Sequence, residues 1–291
     1  MEKSYPDDHW LKSDDADKAL AAYMEQQSKA YSRIKNAFVL ELLGDLHGKR
    51  FLDYGCGGGL FTVSAARQGA LEALGVDSLE TALSTARLLA RREGVEGRCR
   101  FVLSAEFPRC SPRNRFDVVL IKDVIEHVPD DQALLDTAAE AMVPGGLLVV
   151  STQNSLSLNY LLEGTYRRGL LRDKTWFGWD ETHLRFYTPM SLNKKLKRAG
   201  FHSDGWRSVY LIPYKLPMPE RAERQFLRLE ILSWIDRILG GIFPYNRLGW
   251  NVIVRARASG FVPQRVRIGH RFEAELSHLP LAVTRESVRL K

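Results

Sequence analysis

The stretch Phe51-Leu52-Asp53-Tyr54-Gly55-Cys56-Gly57-Gly58-Gly59-Leu60 constrains this chain more than any other part of it. A short apolar run ends in an acid, and a glycine-rich turn then leads into a helix-compatible segment, Leu60 to Arg67. Glycine tolerates positive φ and lets the main chain lie close against a bound molecule, and a helix N-terminus presents free N–H groups to it. The pattern predicts a buried parallel strand, a tight turn and a helix, with a nucleotide-like ligand over the turn. Glycine-rich turns also occur in loops without a ligand, so the neighbouring segments decide.

Those segments repeat the pattern. Ala73 to Asp77 reads as a second strand ending in an acid, at the distance where a carboxylate meets ribose hydroxyls in doubly wound folds. Phe101 to Leu103, followed by Ser104-Ala105, reads as a third strand and its loop; Phe116 to Ile121 is a fourth, and Leu147 to Ser151, after Pro144-Gly145-Gly146, a fifth. Strands alternating with helical stretches predict an α/β, doubly wound, Rossmann-like sheet of seven mostly parallel strands. Ligands of such sheets sit outside the carboxyl ends of the strands, where Asp53, Asp77, Ser104 and Lys122 fall.

Two cofactors compete for that crevice. A dinucleotide fingerprint places a third glycine at position 60, where this chain has Leu60. A strand-end carboxylate such as Asp53 repels a pyrophosphate but suits a ligand with a sulfonium and an ammonium group. The charge therefore favours S-adenosylmethionine over a nicotinamide dinucleotide.

Several motifs then appear in order: Leu52-Asp53-x-Gly55-Cys56-Gly57-Gly58-Gly59, Val76-Asp77, Phe116-Asp117-Val118-Val119, Ile125-Glu126-His127-Val128-Pro129-Asp130 and Pro144-Gly145-Gly146. Together they resemble class I S-adenosylmethionine-dependent methyltransferases. Arg33-Ile34, Glu126-His127-Val128-Pro129, Ser151-Thr152-Gln153-Asn154 and Thr182-His183 followed by Phe186 and Pro189 make the chain most similar to the O-methyltransferases of ubiquinone biosynthesis. The resemblance covers about residues 30 to 205. It implies that backbone around Gly55, Cys56 and Gly57 meets the methionine part of the cofactor, with Asp53 near its ammonium. Asp77 and Ser78 meet the ribose, and Ser104 and Ala105 lie beside the adenine. Arg33 reaches the carboxylate, as a guanidinium can with two parallel bonds. Lys122, unusual for the family, stands beside the transferring methyl.

The implied reaction is displacement at a sulfonium carbon, in which the protein orients the acceptor and excludes water. A phenol or alcohol must still lose a proton, so His183 and His127 are the candidate bases, and His183 is preferred for its aromatic surroundings. Asp123-Val124-Ile125-Glu126-His127 also fits the acid-x-x-Glu-His spacing that binds magnesium in some quinone-type relatives; the metal-free reading is preferred. Two rivals stand beside the enzyme reading: a catalytically silent cofactor-binding adaptor and a nicotinamide oxidoreductase. The methylated atom, oxygen against nitrogen or carbon, is left open.

Composition fits one main domain in 291 residues, with residues 1–48 as helical cover, residues 215–247 as a helical insertion and residues 260–291 as a basic tail. Three cysteines give no disulfide framework, and no signal peptide or spanning segment is read, which predicts a cytoplasmic protein. The net charge of +7 suits a solvated surface, an acidic substrate or anionic headgroups; no nucleic-acid module accompanies it. The aromatic-rich segment Asn159 to Trp179 reads as a wall over an apolar, small or lipid-like acceptor. Phe226 to Phe243 is expected to form one amphipathic helix, docking on its own domain or a partner subunit, as in a homodimer, or resting on a membrane surface.

Overall fold

The computed structural model describes residues 9–107, 115–178, 182–212, 215–217, 226–228 and 230–259. The basic tail, 260–291, and Trp179, Asp180 and Glu181 lie outside the described residues. Seven strands form one sheet: β1 (Arg50–Tyr54), β2 (Glu72–Asp77), β3 (Cys99–Leu103), β4 (Phe116–Lys122), β5 (Met142–Gln153), β6 (Phe201–Val209) and β9 (Asn251–Ala258). Their order is β3-β2-β1-β4-β5-β9-β6, and only β9 runs against its neighbours. A separate two-stranded ladder joins β7 (Lys215–Pro217) to β8 (Phe226–Arg228). The helices are α1 (Ala16–Ser28), α2 (Ala30–Leu43), α3 (Leu60–Arg67), α4 (Glu80–Arg92), α5 (Asp131–Ala141), α6 (Leu158–Thr165), α7 (Pro189–Arg198) and α8 (Trp234–Leu239).

The strands are apolar on both sides because helices cover both faces of the sheet. Side chains alternate along each strand, so Phe51, Val118, Leu120, Val149 and Ile253 pack beneath α2 and α3. Leu52, Val119, Ile121, Val150, Val252 and Val254 pack on the other face, with Leu134 and Leu135 of α5 and Leu192 and Leu196 of α7. A third cluster joins Trp10, Leu20 and Tyr23 to Val63, Ala82 and Leu89, which attaches α1 to α3 and α4.

Local chemistry sets the element ends. Asp15 caps α1 by accepting from Asp17 N and Lys18 N. Thr188 and Ser191 form a reciprocal capping box at α7, whose first residue is Pro189. In the N-terminal part α1 packs on α3 and α4, and α2 packs on the sheet.

The insertion departs from expectation. Phe226 to Phe243 is not one helix: after β8 a 3-10 turn, Glu230–Ser233, leads into the six-residue α8. Asp236 explains which face of α8 points inward. Its side chain is 1% exposed and accepts from Tyr210 N at 2.7 Å and Leu211 N at 2.9 Å, which terminates β6. The polar residue is therefore the inward anchor, and Gly240 and Gly241 then end the helix. Trp234, Ile238, Ile242 and Phe243 are left 52%, 53%, 52% and 71% exposed.

Replacing Asp236 by Ala strips two buried amides of a charged acceptor. Chemical denaturation of Asp236→Ala should show a loss of about 2–4 kcal/mol, while Asp236→Asn, which keeps one acceptor oxygen, should lose less.

Candidate active site

The carboxyl ends of β1, β2, β3, β4 and β5 open on one crevice, and the first wall is the glycine turn. Gly55 and Cys56 donate their amides to Val76 O at 2.7 and 2.9 Å, which bends the chain back towards β2. Gly55, Gly57 and Gly59 have φ of 82°, 50° and 85°, and a Cβ on Gly55 would lie 2.1 Å from Val124. The turn is thus fixed by backbone conformation and by absence of room.

Asp77 accepts from Gly57 N at 2.9 Å and from Leu79 N at 3.1 Å, so its carboxylate is held between the turn and the next helix. Ser78 and Ala105 are exposed beside it, and Ser104 N donates to Asp77 O at 2.8 Å. These residues stand together at the carboxyl ends of β2 and β3. Asp53 lies deeper, at 1% exposure, accepting from Thr62 Oγ1 at 2.9 Å. Burial pushes its carboxyl up to about 7, against the pull of Thr62 and the Lys122 ammonium.

Arg33 is turned outward. The cation that α2 directs inward is Lys35, 4% exposed, on the same helical face as Val39 and Leu42. Lys35 Nζ pairs with Asp123, to which Lys122 Nζ lies at 3.3 Å. Ser151 Oγ and Asn251 Nδ2 donate to the same carboxylate at 2.9 and 3.2 Å. Burial alone would raise the Asp123 carboxyl, but the two ammonium groups and these bonds outweigh it and hold it far below the usual range. Burial lowers the Lys122 ammonium, with Asp123 opposing.

The second wall carries the histidines. His183 is 5% exposed, and its Nε2 lies 3.2 Å from Gln153 Nε2. Its ring centroid is 4.6 Å from that of His127, whose Nδ1 is 3.1 Å from Thr182 O. The segment is clamped: Leu184 N donates to Glu126 O at 2.9 Å, Arg185 donates to Val128 O and Pro129 O, and the Tyr187 hydroxyl donates to Asp131 at 2.6 Å. Phe186 packs on His183, Tyr160 and Trp250, and Tyr160 also faces Trp176. The two histidines and an aromatic box therefore stand together beside Gln153, at the carboxyl end of β5.

The magnesium spacing does not survive folding. Asp123 is taken by two lysines, so the acid-x-x-Glu-His trio does not converge. Instead Glu126, His127 and His183 bring one ligand atom each within 4.8 Å. Glu126 is fully buried and accepts from Thr152 at 3.0 Å. Burial, then the Asp123 charge, pushes its carboxyl up to about 8. Two imidazoles and a carboxyl that resists ionisation are a poor set for a hard, oxygen-seeking ion.

Sequence reasoning missed Lys35, Thr62 and Trp250, whereas Tyr160 falls in the aromatic-rich segment it singled out. The i, i+4, i+7 spacing of Lys35, Val39 and Leu42 was the available signal for the first. A cleft of about 380 Å³ lined by Gly44, Lys49, Asp117, Gly145 and Arg255 opens at the opposite ends of the strands, away from this chemistry.

Comparison with known proteins agrees with this geometry. A family model described as a methyltransferase domain matches residues 23–203. A ubiquinone biosynthesis O-methyltransferase of Aeromonas salmonicida is 33% identical over 179 residues, 60% of this chain and 72% of the relative. One from Bordetella avium is 30% identical over 187 residues, 63% and 75% of the two chains. Among solved structures, an S-adenosylmethionine dependent methyltransferase from Mesorhizobium loti superposes with a TM-score of 0.52 at 19% identity, covering 79% of this chain and 99% of its own. A SAM dependent methyltransferase from Aquifex aeolicus gives 0.51 at 12% identity, over 84% and 99%. At those identities the structures speak for the fold.

Asp53 and Glu126 hold protons in the folded state that they release when unfolded, so they favour the fold at low pH and progressively less as pH rises from about 4 to about 8. Asp123 acts oppositely, and its contribution is lost only as pH falls below about 4. Urea melts across this range should show stability declining towards pH 8, and the decline should be shallower in Asp53→Asn and in Glu126→Gln. An unchanged slope in both variants would contradict these protonation states.

Proposed function

The chain belongs to the methyltransferase-domain family and uses S-adenosylmethionine, and from that premise we propose that it methylates a hydroxyl oxygen of a quinone- or phenol-type acceptor with a lipid-like substituent. The observation that carries this reading is that His183, His127 and the rings of Tyr160, Phe186 and Trp250 come together beside Gln153, at the carboxyl end of β5. The names of the relatives, O-methyltransferases of ubiquinone biosynthesis, support the same class of acceptor.

In this reading the backbone of Gly55, Cys56 and Gly57 meets the methionine part of the cofactor, and Asp77 takes the ribose diol with Ser78 beside it. Ser104 and Ala105 flank the adenine. Asp53 lies beneath the turn, where the cofactor's ammonium would draw its carboxyl to the ionised form. Lys35, rather than Arg33, is the buried cation of the cover helix, placed to attract the cofactor's carboxylate. The acceptor ring lies among Tyr160, Phe186 and Trp250. His183 takes the hydroxyl proton as the oxygen attacks the methyl carbon, the carbon–sulfur bond breaks, and S-adenosylhomocysteine leaves. His127 and Gln153 hold the His183 ring, and the Lys122 ammonium stabilises the oxyanion that forms.

The lipid-like part rests on the surface around the entrance. Leu161, Leu162, Leu170 and Leu171 of α6 and the turn after it are 49% to 74% exposed, beside Arg167, Arg168 and Arg172. Asn159 Nδ2 donates to Tyr210 O, and Tyr210 N to Asp236, which brings α6 next to α8 with its exposed Trp234 and Ile238. Apolar side chains interleaved with arginines fit an anionic bilayer surface. Among the described residues no helix is long and apolar enough to cross a membrane.

Two measurements check the reading. Incubation with methyl-labelled cofactor and alkylated catechols should give an O-methylated product, and His183→Gln should lower kcat about 100-fold without weakening S-adenosylhomocysteine binding. Methylation at nitrogen or carbon, or binding of the product nucleoside with no turnover of any phenolic acceptor, would overturn it. Flotation with phosphatidylglycerol vesicles should carry the wild-type chain upward and leave a Leu170→Glu/Phe243→Glu variant behind.

A further inference from the structure

We propose that Tyr23 is the residue through which the N-terminal helix sets the shape of the glycine turn, a positioning residue for cofactor binding. The inference rests on the reading of that turn as the cofactor's.

Helix α3 begins at Leu60, and its N-cap is Gly59, which has no side chain to satisfy the first N–H groups. The acceptor comes from elsewhere in the chain: Leu60 N donates to the Tyr23 hydroxyl at 3.3 Å. The same ring lies against Gly58. A Cβ added at Gly58 would come within 2.7 Å of Tyr23 Cδ1 and Cε1 and 2.9 Å of Cγ, closer than real Cβ atoms approach. Gly58 differs here from its neighbours. Gly55, Gly57 and Gly59 have positive φ, whereas Gly58 does not, so the requirement at position 58 is room for the tyrosine.

Tyr23 is itself held firmly. It is 7% exposed and its ring centroid lies 4.9 Å from that of Trp10. Leu20, one helical turn before it, shares a buried cluster with Val63 of α3 and Leu89 of α4, and Asp17 pairs with Arg92 of α4. The tyrosine therefore approaches the turn from a helix already anchored to the two helices that flank it. Burial raises the phenol well above its usual pKa, with the charges of Asp53, Cys56 and Asp77 acting in the same direction, so the hydroxyl stays neutral. The bond to Leu60 N and the contact with Gly58 place the ring against the glycine turn itself. If the turn relaxed outward, the main chain of Gly55 to Gly59 would leave the path along which it lies against a ligand.

A double-mutant cycle read by calorimetric binding of S-adenosylhomocysteine tests this. Tyr23→Phe, which keeps the ring and removes the acceptor, should weaken binding about 3- to 10-fold. Gly58→Ala should weaken it about 10-fold or more, because the methyl meets the ring. The Gly58→Ala/Tyr23→Ala variant should bind about as well as Tyr23→Ala alone, since the obstacle is gone. Binding by Tyr23→Phe and Tyr23→Ala equal to wild type, or Gly58 and Tyr23 effects that simply multiply, would overturn the proposal. Should Tyr23→Ala fail to fold, Tyr23→Phe decides alone. Wild-type protein that does not bind the nucleoside overturns the cofactor reading and this inference with it.

Discussion

Asp123 sits just past the end of the central strand β4 with φ of 55°, and four elements converge on its carboxylate. Lys35 comes from the cover helix, Lys122 from β4 itself, Ser151 from β5 and Asn251 from β9. A non-glycine residue in that conformation costs about 1–3 kcal/mol, which persists only where the surroundings over-determine it. Here they do. Removing the carboxylate would leave two cations in a largely buried pocket, a far larger cost than exposing either one at the surface. The knot fixes where α2 lies across the crevice and how the antiparallel strand β9 meets the parallel half of the sheet.

That arrangement also explains the distribution of charge. Asp53, Asp123 and Glu126 all lie near the crevice, yet only Asp123 is paired directly by lysine. The other two are left to burial, which raises both carboxyls towards neutrality. A crevice that sets the Asp77 and Asp123 carboxylates against two lysines, with two further acids raised towards neutrality, can receive a zwitterionic ligand with a positive sulfur without a large net charge of either sign. The same economy makes the acid-x-x-Glu-His sequence misleading, because the first acid of the spacing is spoken for by Lys35.

Much of this was legible in the sequence, and the limits have physical causes. Continuous apolar strands ending in Asp53, Asp77 and Lys122 define a parallel sheet, since period and strand-end chemistry are local properties. The glycine turn and its rim are equally local. Contacts between distant segments were not readable in the same way: Tyr23 against Gly58, or Asn251 on Asp123, depends on tertiary placement. Arg33 and Lys35 lie two positions apart, about 200° around a helix, so the choice between them turned on which face α2 buries. In the insertion the apolar spacing of Trp234, Ile238 and Ile242 predicted one long amphipathic helix whose stripe docks on the domain, a partner or a membrane surface. The chain instead buries Asp236, because two amides at the end of β6 need an acceptor there, and the apolar stripe faces outward.

The central claim is that the strand ends, the glycine turn and the cation knot form one S-adenosylmethionine crevice. A crystal structure of the protein grown with S-adenosylhomocysteine tests it most directly. The account predicts the nucleoside over Gly55 to Gly59, its ribose hydroxyls on Asp77 and its carboxylate turned towards Lys35. Clear density for the nucleoside at any other place, such as the cleft beside Lys49 and Arg255, with the glycine turn bare, would contradict it.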